Sequence, residues 1–286
     1  MAAVRMALSG ALKLWVFSSI GTALLTLACA AAWRHELQER AEDPHYTIRA
    51  LVQTGPEVEA VPTGYLAELL GLSKDRPVNL YQVSTAHLEE RLLSSPVLRE
   101  ARVSRRLPST LEIQYQARTP IAAVIDLEQG WLDEEGVLFP GQPFQRPRQL
   151  VQVYLGLHRQ LKPPYTPKLW GSSIPKEQIT LLGEFLQHPA WQNFTLQMVD
   201  LGRLQDADYG KREWVLRGKP AGWNHVWWVR LPSRNWQTAL AYLPRLVEAI
   251  RESDHSVLVD LRMDQMALYQ ELDQNGHARL MDAHAG

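Results

Sequence analysis

The chain has 286 residues, 45% hydrophobic and 21% charged, a balance that suits two modest folded domains and excludes a largely disordered chain. Lysine and arginine number 30 against 31 acidic residues, so no global basic field exists to recruit nucleic acid. The single cysteine, Cys29, excludes an intramolecular disulfide and a cysteine-based zinc cage.

Residues 1–13 read as a short cytoplasmic tail. Leu14 to Trp33, LWVFSSIGTALLTLACAAAW, carries no charge and is bounded by Lys13 and Arg34. About 20 apolar residues in a helix span a bilayer core of roughly 30 Å, and Trp15 and Trp33 sit where indoles favour the headgroup level. One transmembrane helix over 14–33 is therefore expected. Basic residues nearly tie on its two flanks, so the short N-terminal side, as in a signal anchor, is what favours a cytoplasmic N terminus. Two processing alternatives stay open: cleavage at Ala28-Cys29-Ala30, and lipidation of Cys29 in a TLAC box. Each version leaves the bulk of the chain outside the cytoplasmic membrane.

Residues 34–45, RHELQERAEDPH, are charged and nonperiodic and read as a tether. HELQE is not a zinc motif, because Glu39 stands where a metalloprotease helix needs its second histidine. Next come a strand at 46–55, YTIRALVQTG, a helix at 62–72 carrying Leu66, Leu69 and Leu70, and a second helix capped by Ser84 and stopped by Pro96. Two alternating runs, Val97 to Arg105 and Thr110 to Ala117, are split by LPS, and Leu111, Ile113 and Tyr115 share one face. The order β-α-α-β-β suits two helices on one side of a three-stranded sheet, with the third strand hairpinned onto the second.

Beyond residue 118 short strands dominate: IAAVIDL, GWLDEEGVLFP, QLVQVYLG, TLQMVDLG, EWVLRG, HVWWVRL, SVLVDLR and MALYQEL. Helices are expected at 175–187 and at 235–253, the latter kinked at Pro244. The fold class is α+β, with a long antiparallel or mixed sheet carrying helices on one face, and residues 273–286 form a polar, flexible tail.

GWLDEEGVLFP (130–140) raises the question of chemistry, since Asp133, Glu134 and Glu135 stand side by side. Alternation on either side, with Gly136 free to take positive φ, favours a hairpin tip. A catalytic carboxylate pair would need burying or perturbing partners, and nothing local supplies them. Nine histidines show no HxH or HExxH pairing, GKR (210–212) lacks P-loop spacing, and no GxSxG elbow occurs. No catalytic set, metal site or cofactor is indicated. Trp227 and Trp228, adjacent on a strand, must face opposite sides.

In order and spacing the chain resembles the FtsQ/DivIB family of bacterial cell-division proteins, from about Leu14 to Leu272. The likeness rests on the β-α-α-β-β unit, on SPVLREARVSRRLPSTLEIQYQARTPIAAV, on WLDEEGVLF, on PKLWG (167–171) and on VLVDLR (257–262). It implies a POTRA domain at 46–118, a β domain at 119–272, and a noncatalytic, single-pass inner-membrane scaffold at the division septum that helps control septal peptidoglycan synthesis. It also implies that a strand of the FtsB periplasmic segment, itself paired with FtsL, extends the strand after DLR by β-augmentation. Here that stretch is MDQMALYQEL (263–272), with Met263, Gln265, Met266, Leu268, Tyr269 and Leu272 as partner-binding candidates. The family usually carries an aromatic just after DLR and a glycine three residues later, where this chain has Met263 and Met266. FtsK and the septal peptidoglycan synthase complex are further implied partners. The runner-up is a POTRA-containing export or outer-membrane assembly protein, against which stands the want of alternating segments of about ten residues. A cell-wall hydrolase comes third.

Overall fold

A computed structural model describes residues 2–144, 148–157, 169–204, 206–250 and 255–272; the side chains of residues 2–14, Val16 and Phe17 are not among those described. The tail at 273–286, and Pro167 and Lys168 of PKLWG, lie outside these residues. The chain divides into two compact units, Met1–Gly55 with Thr63–Ser94 and Glu100–Tyr115, and Pro56–Pro62 with Ser95–Arg99 and Gln116–Gly286.

The first helix, α1, runs from Ala2 to Glu42. The tether expected over 34–45 is thus helical as far as Glu42. Its charges are not patternless: Glu36 accepts from Arg40 at 2.7 Å and His35 faces Glu39 at 3.5 Å, both i,i+4 pairs that support a helix. The strand expected from Tyr46 starts later, because Pro44–Tyr46 forms a 3-10 turn in which Asp43 accepts the His45 N–H at 2.8 Å. Among the described residues no helix is long and apolar enough to cross a membrane, and Leu14, Val16 and Phe17 of the expected crossing have no described side chains.

After the turn come β1 (Ala50–Thr54), α2 (Thr63–Leu70), α3 (Thr85–Leu93), β2 (Leu98–Arg106) and β3 (Thr110–Ala117). Gly71 at φ +66 closes α2, and Ser84 caps α3 by accepting the His87 N–H. The three strands form one sheet in the order β1-β3-β2, with β1 parallel to β3. Leu111, Ile113 and Tyr115 are buried on β3, as are Leu66, Leu70, Leu88 and Leu92 on the helices.

The larger sheet has nine strands in the order β12-β11-β10-β9-β8-β7-β4-β5-β6. These are β4 (Pro120–Val124), β5 (Gly130–Asp133), β6 (Leu138–Pro140), β7 (Gln152–Tyr154), β8 (Phe194–Asp200), β9 (Glu213–Pro220), β10 (Trp227–Pro232), β11 (Ser256–Asp260) and β12 (Leu268–Leu272). Parallel neighbours need a crossover. Accordingly α4 (Lys176–Leu186) lies between β7 and β8, and α5 (Trp236–Leu240) with α6 (Leu243–Ala249) lies between β10 and β11. The single kinked helix expected at 235–253 is two helices, because Pro244 falls in the first turn of α6, where its missing N–H costs nothing.

One sheet face is apolar and shares a core with these helices: Trp214, Leu216, Trp227, Val229, Val257 and Val259 cluster with Leu182, Phe185, Trp236 and Leu240. Phe185 stacks on Trp214 with centroids 4.5 Å apart. Trp227 is fully buried, whereas Trp228 on the opposite face is half-buried with the Arg217 guanidinium over its ring at 5.7 Å.

The acidic triplet forms the expected hairpin tip between β5 and β6, with Gly136 at φ +82. One detail departs from expectation. Asp133 is 3% exposed, accepts the Glu135 and Val137 N–H groups at 3.0 and 2.7 Å, and meets Arg118 Nη1 at 2.6 Å. Its partner comes from fifteen positions upstream in sequence, so inspection of the triplet alone could not find it.

Candidate partner-binding edge

β12 is the terminal strand of the larger sheet, antiparallel to β11 in the register Asp260↔Leu268 to Ser256↔Leu272. Among the described residues it has no second strand neighbour. A strand so placed presents a row of N–H and C=O groups able to pair with another chain. The opposite end of the sheet differs. There Leu138 N–H donates to Ser172 O at 2.9 Å and Leu138 O accepts from Gly171 N–H at 2.8 Å, so the margin of β6 is already occupied.

The connection from β11 to β12 is held by side chains. Asp260 accepts the Arg262 N–H at 3.1 Å and grips its guanidinium, with Nη2 at 2.6 Å and Nε at 2.9 Å. Burial works to raise the Asp260 pKa, but the hydrogen bonds from Arg262 and the charges of Arg262 and Arg230 outweigh it and hold the carboxyl below its usual range. Gln265 takes φ 61, the left-handed conformation that turns the chain, and Met266 N–H donates to Met263 O at 3.3 Å.

The six candidate residues therefore divide. Met263, Gln265 and Met266 lie in the turn, while Leu268, Tyr269 and Leu272 lie on β12. Directly paired residues share a face, so Tyr269, opposite Val259, is on the helix-bearing side, and Leu268 and Leu272 are on the other. Met263, Met266, Leu268 and Tyr269 are each 50–53% exposed, whereas Leu272 is 8% exposed and lines a shallow depression with Leu258 and Trp228. Leu272 thus anchors the strand, and the other apolar side chains are available to a partner.

Two features are not legible from the strand alone. On the helix-bearing side a groove of about 440 Å³ lies between α5–α6 and the turn, lined by Thr238, Tyr242, Leu246, Leu261, Met263 and Met266. On the open face Glu213, with its side chain 2% exposed, accepts from Arg203 Nη1 at 2.5 Å and from Arg230 Nε and Nη2 at 2.8 and 2.7 Å. Arg262 Nη1 lies 3.2 Å from the same carboxylate. This hub ties the residue that starts the turn to β9 and β10. Alternation in EWVLRG could have marked Glu213 as opposite in face to Trp214, but its partners depend on strand register.

Among the described residues no group of three histidine, cysteine, aspartate or glutamate side chains is placed to hold a metal ion. The arrangement can bind a strand and accept apolar side chains beside it.

Residues 59–116 match the family model described as POTRA domain, FtsQ-type. That range takes in α2, α3, β2 and nearly all of β3. No curated protein matches the chain.

Proposed function

We propose that this chain, which its FtsQ-type POTRA domain supports as a member of the FtsQ/DivIB family of cell-division proteins, is a noncatalytic, single-pass scaffold of the division septum. In this reading it joins early and late division proteins and helps control septal peptidoglycan synthesis by binding FtsB and FtsL. The observation that carries the partner assignment is the terminal place of β12, which has no second strand neighbour among the described residues and exposes Leu268 and Tyr269. A periplasmic segment of FtsB adds a tenth strand there; main-chain hydrogen bonds give affinity and alternate side chains give specificity.

The anchor is α1. Leu14 to Trp33 is uncharged, and Ile20, Leu24, Leu25, Leu27 and Trp33 along it are 51–66% exposed, uncovered by the other described residues. Its N terminus lies in the cytoplasm and the chain beyond α1 outside. FtsK and the septal peptidoglycan synthase complex are further partners in this reading.

The test is binding of the full chain, reconstituted in lipid nanodiscs, to the periplasmic segments of its own FtsB and FtsL. A chain ending at Leu272 should bind as the full chain does. One ending at Arg262 should retain its circular dichroism spectrum and lose binding. If the full chain binds neither segment, the scaffold reading loses its central partner and the export alternative replaces it.

A further inference from the structure

The geometry points to a lipid-facing basic end of the β-α-α-β-β unit that binds the anionic phospholipid headgroups of the membrane holding α1. This rests on the reading of α1 as the anchor.

A helix C terminus leaves carbonyls without partners, and here side chains of the folded unit fill them. Asn79 Nδ2 donates to Arg40 O at 3.0 Å and to Asp43 O at 2.9 Å, and Gln82 Nε2 donates to Ala41 O at 2.9 Å. Arg40 Nη1 also reaches Tyr81 Oη at 3.3 Å. The helix end and the 79–82 loop are therefore one joint and not a loose tether. From Arg34 to Glu42 the helix rises about 13 Å above the uncharged run, at roughly 1.5 Å per residue. The headgroup layer occupies about 5–8 Å of that height, so what hangs beside the joint lies within about one Debye length of the surface.

Three turns hang there. Ile48 N–H donates to Val78 O, and Arg49 N–H donates to Ser109 O, both at 2.9 Å, which joins the start of β1 to the β2–β3 turn and to the loop after the Ser73–Arg76 bridge. Arg105 Nη2 donates to Val83 O at 2.6 Å, and its guanidinium lies 5.8 Å from the Tyr81 ring centroid. These turns and the end of β2 expose Arg49, Lys74, Arg76, Arg105 and Arg106, with Asp75 the acid among them, and Leu107, next after β2, is 57% exposed. Among the described residues none of the five cations makes an ion pair, whereas Arg40 nearby is paired with Glu36. An unneutralised basic cluster carrying an apolar tip has the character of an interfacial lipid contact.

The acids Glu39, Glu42 and Asp43 lie on or next to the helix axis, so tilting hardly changes their depth. The off-axis turns swing toward or away from the headgroups as α1 tilts, which transmembrane helices do by about 20° on average. Lipid charge thereby sets the tilt of the unit. A surface potential near −30 mV, decayed by one Debye length, favours a unit charge roughly 1.5-fold. Four net charges, five cations less Asp75, then favour the lowered state roughly five-fold.

The experiment uses the full chain carrying Cys29→Ser and Leu107→Cys, labelled at 107 with a fluorophore and reconstituted in nanodiscs containing headgroup-spin-labelled lipid. Phosphatidylcholine discs are compared with discs containing phosphatidylglycerol. Support is a roughly five-fold larger quenched fraction with phosphatidylglycerol, most of it removed by 0.5 M salt and by the Lys74→Gln, Arg76→Gln, Arg106→Gln variant. Equal quenching in the two lipids, or quenching indifferent to salt, overturns the inference. An alkaline carbonate wash of proteoliposomes separates the two readings. A chain that is extracted refutes the anchor and this inference together, and one that is retained but indifferent to lipid charge refutes only the latter.

Discussion

Replacing Glu213 by glutamine tests whether the hub beneath the edge strand holds the larger sheet together. The shape is kept and one charge is removed from a site where three guanidiniums converge on a carboxylate whose side chain is 2% exposed. Breaking a fully buried ion pair costs about 3–5 kcal/mol. Here the arginines are 28–49% exposed, so water screens part of the loss, and the expected cost is about 2–3 kcal/mol. For a unit of this size that is roughly a 5–10 °C fall in Tm. The assay is thermal unfolding of the full chain in detergent, followed by near-ultraviolet circular dichroism from the tryptophans, with hydrogen exchange on β12 as a second readout. Because Arg262 starts the turn into β12, protection of Leu268–Leu272 should fall more than that of β4 and β5. A Tm lowered by less than about 2 °C would refute the reasoning, as would uniform loss of protection across the sheet.

Three further outcomes follow from named contacts. Trp227→Ala removes a fully buried ring and should destabilise by about 3–5 kcal/mol; Trp228→Ala next to it should cost less than half as much in the same denaturant titration, and equal costs would contradict the facing of β10. Gly136→Ala places a Cβ at φ +82 with Ile174 Cγ1 at 3.2 Å, so a loss of about 1–2 kcal/mol is expected by chemical denaturation. Burial lowers the pKa of His188, whose Nδ1 accepts the Ala190 N–H at 3.2 Å. Its stabilising contribution is therefore present above the unfolded pKa of about 6.5 and is lost as pH falls toward the folded value. Tm measured from pH 7.5 to 5.5 should decline more steeply in the parent than in His188→Gln, and parallel curves would contradict this assignment.

Elements with strong period or clear punctuation were legible in the sequence. Leu111, Ile113 and Tyr115 announced the buried face of β3, Ser84 announced the start of α3, and Gly136 announced the hairpin tip. What escaped depended on partners remote in sequence. Charge alone made 34–45 read as a tether, whereas Asn79 and Gln82, some 40 residues on, cap the end of a continuous helix. The triplet at 133–135 gave no sign that Arg118 would bury one member. For the candidate site, the location of an edge after DLR came from resemblance, and its alternation was visible. The division of its residues between turn and strand was not, because it turns on Gln265 adopting a positive φ that residue type does not demand.

An edge strand that is to take a partner faces two opposed requirements: it must stay in register with its single neighbour, and it must keep its outer margin accessible. The described groups that hold β12 in register lie at its ends and in the turn before it. Leu272 is buried at one end of the strand, and the Asp260–Arg262–Glu213 chain of contacts fixes the approach to the other. Hydrophobic burial across the whole strand would hold it more firmly, yet would remove the exposure of Leu268 and Tyr269, the side chains through which the proposed partner strand would be told from others. β6 makes the contrast within the same sheet: its outer margin is paired to the 171–173 segment, and its Leu138 and Phe139 are both buried. Among the described residues the two ends of one sheet thus differ in how their margins are satisfied, and that asymmetry is why the proposed partner strand is assigned to β12.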